Sequence, residues 1–179
     1  MSITALRQAE YEALRATIRQ RGTARLWVVI SGIASWGALA LAVSAVELPG
    51  AALLAPFIVL AATFEINFFI HIGVERIGRY VQVFFEEQPA SIGWETTAMS
   101  YGAKFPGRGL DPLFSIIFFL AALVNFFSTL AVAEHRPVWM GVSLVAHLAF
   151  NYRIVRARQI SAQQRSIELE QFRSLLNST

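Results

Sequence analysis

The chain has 179 residues, 55% of them hydrophobic, with a mean hydropathy of +0.51, a composition that leaves little material for a separate soluble domain. Cysteine is absent, which excludes disulfide staples, thiolate metal sites, cysteine nucleophiles and iron–sulfur ligation. The net charge is +3, but the basic residues flank apolar runs and form no block with interleaved aromatics, which argues against nucleic acid as a partner.

Residues 1–22 are predicted to form an amphipathic helix. Ile3 to Gln20 contain no Gly or Pro, and Leu6, Ala9, Ala13 or Leu14, and Ile18 recur at helical spacing opposite Arg and Glu. The helix is expected to end near Gly22 and either to lie at the lipid headgroups or to pack on the protein's own cytoplasmic helices. A cleavable signal peptide is not expected, since no short apolar region with a small-residue cleavage site opens the chain.

Four apolar runs follow, 26–46, 51–72, 113–133 and 138–155, and three of them are long enough to cross a bilayer at helical rise. The fold class expected is all-α: a polytopic membrane protein whose four-helix transmembrane domain spans 26–155, with helical cytoplasmic extensions. Along the first run Ser31, Ala34, Ser35, Ala38, Ala42 and Ala45 recur at spacings of three and four, a pattern that lets a neighbouring helix approach closely. Packing within the bundle is preferred here to dimerisation. Trp36 lies too deep in its run for an interfacial belt and reads as a packing or lipid-facing aromatic.

Charge sets the orientation, because cytoplasmic flanks carry excess Lys and Arg. Arg7, Arg15, Arg19, Arg21 and Arg25 precede the first run, while the turn Glu47-Leu48-Pro49-Gly50 has no basic residue. Arg76, Arg79, Lys104 and Arg108 follow the second run, and Arg153, Arg156, Arg158, Arg165 and Arg173 lie at or beyond the end of the fourth. Both termini are therefore expected in the cytoplasm.

The second helix is predicted to continue as a cytoplasmic extension over 73–87, until Pro89 breaks it. Ile66, Ile70, Val74, Ile77, Val81 and Phe84 trace an apolar stripe along it, with Asn67, His71, Glu75, Arg79, Gln82 and Glu86 opposite. The apolar stripe requires a protein partner. Residues 88–111 read as a long irregular loop with Trp94, Tyr101 and Phe105 against the membrane interface, and Asp111-Pro112 as a capped start for the third span. The tail 156–179 continues the fourth helix without a Gly or Pro and carries a patchy apolar face of Ile160, Ile167, Leu169, Phe172 and Leu176.

Ionisable groups within apolar spans are costly, which makes them the default functional candidates. At about 1.5 Å per residue, Glu65 and Asn151 fall at about 21 Å depth, His147 near 15 Å and Arg153 near 24 Å. With Asn67 these form a candidate intramembrane polar layer of Glu65, Asn67, His147, Asn151 and Arg153. His71, Glu75 and Arg79 form a candidate cluster at the cytoplasmic end, because Asn67, His71 and Glu75 are successive i, i+4 neighbours. The layer reads first as hydrogen-bonded glue, with Glu65 paired to Arg153 or His147, and second as a proton or ion path through Glu65.

No cofactor is expected. Metal or haem through His71, Glu75 and His147 fails on ligand number and depth: His71–Glu75 supplies at most two ligands, and the histidines lie roughly 15 Å apart along the bundle. Nor does the chain contain a hydrolase, phosphate-loop or dinucleotide string, so an enzyme is not expected. The functional expectation is a non-enzymatic integral membrane protein acting by assembly, with itself or as an accessory subunit of a larger membrane complex. The alternative is a small oligomeric ion or proton channel or transporter built on the Glu65 layer.

Overall fold

The computed structural model describes residues 3–46, 52, 54–87, 93–105, 115–132 and 137–178. Among them the regular elements are helices: α1 (Ile3–Ser44), α2 (Ala55–Val81), α3 (Trp94–Lys104), α4 (Ile116–Val132) and α5 (Pro137–Ser178). A π-helical turn, Gln82–Glu86, prolongs α2. Among the described residues, three helices are long and apolar enough to cross a membrane: Thr4–Ser44 within α1, Ala55–Glu86, and Pro137–Ser178. At 17 residues, α4 is apolar but lies at the short end of the ~17–25 residues a span requires. The turn expected at Glu47–Gly50 and the Asp111-Pro112 helix start lie outside the described residues.

Two boundaries differ from the sequence expectations. Helix α1 runs unbroken through Gly22, where a stop was predicted. A glycine in a helix interior costs only about 1 kcal/mol relative to alanine, too little to end a helix whose flanking turns favour continuation. The expected irregular loop 88–111 contains the 11-residue helix α3. Its N-terminus is stabilised by a carboxylate from α2 that no local sequence signal announces.

The chain divides into two compact units, one of Met1–Arg25, Phe69–Leu110 and Gln159–Thr179, the other of Leu26–Phe68 and Asp111–Arg158. The second is the apolar unit. Its core is Val29 from α1, Leu60 and Phe64 from α2, Phe118, Ala121 and Ala122 from α4, and Phe150, Ile154 and Ala157 from α5. Phe64 packs edge-to-face with Phe118 and Phe150 at ring separations of 5.2 and 5.5 Å, one of the geometries that ring quadrupoles favour. Gly32 sets the approach of α1 to α2, since a Cβ there would overlap the Thr63 side chain.

On α1 the small residues are not the packing face. Ser31, Ala34, Ser35, Ala38, Ala42 and Ala45 are all exposed, and the helix buries Val29 and Val43 instead. Packing of the small-residue stripe inside the bundle is thus corrected: aromatic and branched side chains bury more area per position and take the core face.

The first unit is polar and bound together by charge. The start of α1 packs on α2 within it: Arg7 donates to the Phe84 carbonyl at 2.7 Å, Tyr11 lies 5.6 Å from the Phe85 ring, and the Tyr80 hydroxyl donates to Glu10 at 2.8 Å. This amphipathic stretch thus contacts the chain's own helices. On α2 the polar stripe is the more deeply buried, with Arg79, Gln82 and Glu86 almost inaccessible, while Val74, Ile77 and Phe84 are half-buried and Val81 is fully buried. Along the α5 tail Ser161 and Glu168 are buried and Ile167 is 53% exposed, so the inward seam there is polar and the apolar face only partly used.

Candidate functional site

In the apolar unit, the polar residues of the expected layer separate into two groups. Arg153 Nη2 donates to Glu65 Oε2 at 2.8 Å, and the guanidinium also lies over the Phe68 ring at 4.7 Å from its centroid. This pair is not enclosed: the side chains of Arg153 and Glu65 are 33% and 48% exposed. Its neighbours along the helices include exposed apolar and aromatic residues, among them Ile66, Tyr152 and Leu148. Asn151 is half-buried and its Oδ1 accepts no hydrogen bond among the described residues, whereas Asn67 is fully buried.

His147 joins a different network. Asn125 Nδ2 lies 3.0 Å from His147 Nε2, and His147 Nδ1 lies 2.7 Å from the Ser143 carbonyl. An amide nitrogen only donates and a carbonyl only accepts, so the imidazole is neutral with its proton on Nδ1. Trp36 Nε1 completes the chain by donating to Asn125 Oδ1 at 2.9 Å. The deep tryptophan has a polar partner on α4, which its position in the sequence did not disclose. Asn125, His147 and Ser143 are all buried, and such a saturated network contributes cohesion in an apolar setting.

In the polar unit, His71, Glu75 and Arg79 do converge, and the structure adds partners from α1, α3 and α5. Glu75 accepts from Arg79 Nη1 at 3.1 Å and from Arg165 Nη2 at 2.8 Å. Glu168 accepts from Arg79 Nε and Arg76 Nε, both at 2.9 Å, and from Gln164 at 2.8 Å. Arg25 Nη1 approaches His71 Nδ1 at 3.4 Å, and Ser161 Oγ approaches Nε2 at 3.5 Å. His71 Nε2 also lies 3.8 Å from Glu75 Oε1.

Sequence reasoning missed Glu168, Gln164 and Ser161, although a signal was present. Ala157, Ser161, Gln164 and Glu168 continue the inward spacing of Phe150 and Ile154 along α5 in steps of four and three, the period of a packed helical seam.

A cleft of about 230 Å³ opens among these groups, lined by Ile18, His71, Val74, Glu75, Gly78, Arg79, Gln82, Glu95 and Arg165. Glu95 reaches it from the first turn of α3 and is held by Arg15 at 2.6 Å. Burial pushes the Glu95 carboxyl above the ordinary carboxylate range, and the nearby Glu86 charge adds to the shift against the pull of Arg15. Glu86 occupies the start of α3, accepting from the backbone N–H groups of Glu95 and Thr96 at 3.1 and 2.7 Å and from the Thr96 hydroxyl at 2.9 Å. Among the described residues no three His, Asp or Glu side chains are grouped to hold a metal ion.

The chain matches no protein-family model, no curated protein and no solved structure.

Proposed function

We propose that this is a multi-pass integral membrane protein that acts through assembly, with itself or with other membrane subunits, and not through catalysis. The observation that carries this reading is the open Glu65–Arg153 ion pair on the surface of the apolar unit. An ion pair facing lipid is expensive, and intramembrane charges are found almost always against protein or water. A protein neighbour over this patch would cover the charges and the exposed aromatics around them.

The exposed small-residue stripe of α1 supports the same reading, since such stripes let helix backbones approach closely where no hydrophobic force drives association. In this proposal the four apolar runs all span, with α4 as the short fourth helix, and the positive flanks hold both termini in the cytoplasm.

The test is the mass of the purified protein in mild detergent, for wild type, Glu65→Leu/Arg153→Leu and Ala38→Leu/Ala42→Leu. Assembly predicts a wild-type particle larger than one chain and a loss of partner in at least one variant. A monomeric wild type with no co-purifying subunit rejects the proposal.

A second reading rests on the same exposure. Charged side chains on a protomer's outer face would line a shared pore if several copies closed into a ring. Proton flux into proteoliposomes under an imposed potential, lost in Glu65→Gln, would support conduction; wild-type flux no greater than that of empty liposomes would reject it.

A further inference from the structure

The polar cleft contains a buried donor left over from its ion pairs. Arg79 bridges two carboxylates, using Nη1 for Glu75 and Nε for Glu168, while its Nη2 has no hydrogen-bond partner among the described residues. The side chain is only 3% exposed. Leaving a buried guanidinium nitrogen unsatisfied is costly, and Arg79 is one of the residues lining the cleft, whose volume of about 230 Å³ far exceeds the ~10–15 Å³ a single water needs.

The carboxylates lining the cleft already accept from Arg79, Arg165 and Arg15, so the spare donor favours an added acceptor such as an anion. Arg15, Arg76, Arg79 and Arg165 pair with Glu75, Glu95 and Glu168, and with Glu86 nearby the charges balance. The fourth nearby carboxylate, Glu86, is occupied by the α3 N-terminus. Arg165 lies in the cleft wall with 44% of its side chain exposed, and Gln82 and His71 add polar lining. Converging guanidinium donors match the tetrahedral oxygens of a phosphate better than any neutral ligand. Gly78 keeps the wall open, because a Cβ there would stand 3.1 Å from Glu95 Oε2.

We propose that this cleft binds a phosphate group, with Arg79 Nη2 as the buried anchoring donor and Arg165 closing over the outer oxygens. The group could be supplied by a free phosphate or by the headgroup of a phospholipid. The site is independent of the assembly reading, since its lining residues belong to the polar unit.

Thermal unfolding of the purified full chain, titrated with inorganic phosphate against sodium chloride at matched ionic strength, tests the site. A saturable rise in Tm with phosphate and none with chloride is expected of wild type. Arg79→Lys keeps the charge facing Glu75 and Glu168 but lacks the branched nitrogen, and Val74→Phe fills the cleft from its apolar wall. Either variant should lose the saturable rise. Wild type that responds to phosphate no more than to chloride, or variants that both retain the full response, would overturn the proposal.

Nanodiscs of phosphatidylcholine with and without phosphatidic acid separate the sources. A headgroup ligand predicts that phosphatidic acid raises Tm and abolishes the phosphate response. A free-phosphate ligand predicts the same phosphate response in both discs. Nanodiscs in which neither phosphatidic acid nor phosphate moves Tm overturn the proposal.

Discussion

Glu86 accepts two hydrogen bonds from Thr96, one from its backbone N–H at 2.7 Å and one from its hydroxyl at 2.9 Å, so a side chain from the π turn of α2 caps the first turn of α3. The π turn is marked by the Glu87 N–H, which bonds the Gln82 carbonyl five residues back at 2.9 Å. Gly93, the residue before α3, leaves the space the carboxylate fills, because a Cβ there would overlap the Glu86 carboxyl. Negative charge at a helix N-terminus satisfies orphan donors and complements the dipole.

Glu86→Ala should therefore destabilise α3 by about 1–2 kcal/mol, the usual cost of losing a cap. Faster amide exchange at Glu95 and Thr96, with α4 unaffected, is the expected readout. Gly93→Ala should act in the same direction by displacing the carboxylate.

Asn125 stands between Trp36 and His147 in the apolar unit. Asn125→Ala strips a partner from each and should cost about 1–3 kcal/mol if both groups stay unsatisfied. A value nearer ~0.6 kcal/mol would follow if they find other partners in lipid. Equilibrium unfolding in mixed micelles, followed by tryptophan fluorescence, measures it.

Val81 is fully buried in the polar unit. Val81→Asp places an unpaired carboxylate in that contact and should cost several kcal/mol, read as a sharp fall in folded yield and Tm. An unchanged yield would mean that this part of α2 is solvated.

The Glu95 carboxyl is held above its ordinary value of 4.5, with burial the main cause. A raised folded value means that its contribution to stability is fully present below 4.5 and is lost as pH rises through the folded value. Glu95→Gln should flatten the Tm–pH curve in the window just above the ordinary glutamate range. Loss of the partly exposed Arg15 pair should change stability little at neutral pH. Parallel curves for wild type and variant would contradict this.

The proposed topology yields a labelling pattern. Cysteines introduced at Leu48 and His135 should react with an impermeant thiol reagent from outside intact cells, and one at Ser178 should not, because basic residues flank the opposite ends of the apolar runs. Reversed labelling would reverse the orientation.

Composition and spacing make legible the helical class, the long apolar runs, the helical continuation of α2 through its π turn to Glu86 and that of α5 through its tail. These are local properties, carried by composition and by the absence of Gly and Pro over many residues. The sequence also indicated that Glu65 and Arg153 could pair and that His71, Glu75 and Arg79 share a helix face. Which faces turn inward is set by packing between helices far apart in the chain. A helix that is apolar nearly all round carries little period to reveal its buried side, so the exposure of the α1 small-residue stripe and the Trp36–Asn125–His147 network could not be read from spacing. Nor could the existence of α3, whose cap comes from Glu86 on another helix. The polar seam of α2 and α5 was hidden for a related reason: Arg79 and Glu168 are 89 residues apart, and each reads as a solvated charge until the fold supplies the other.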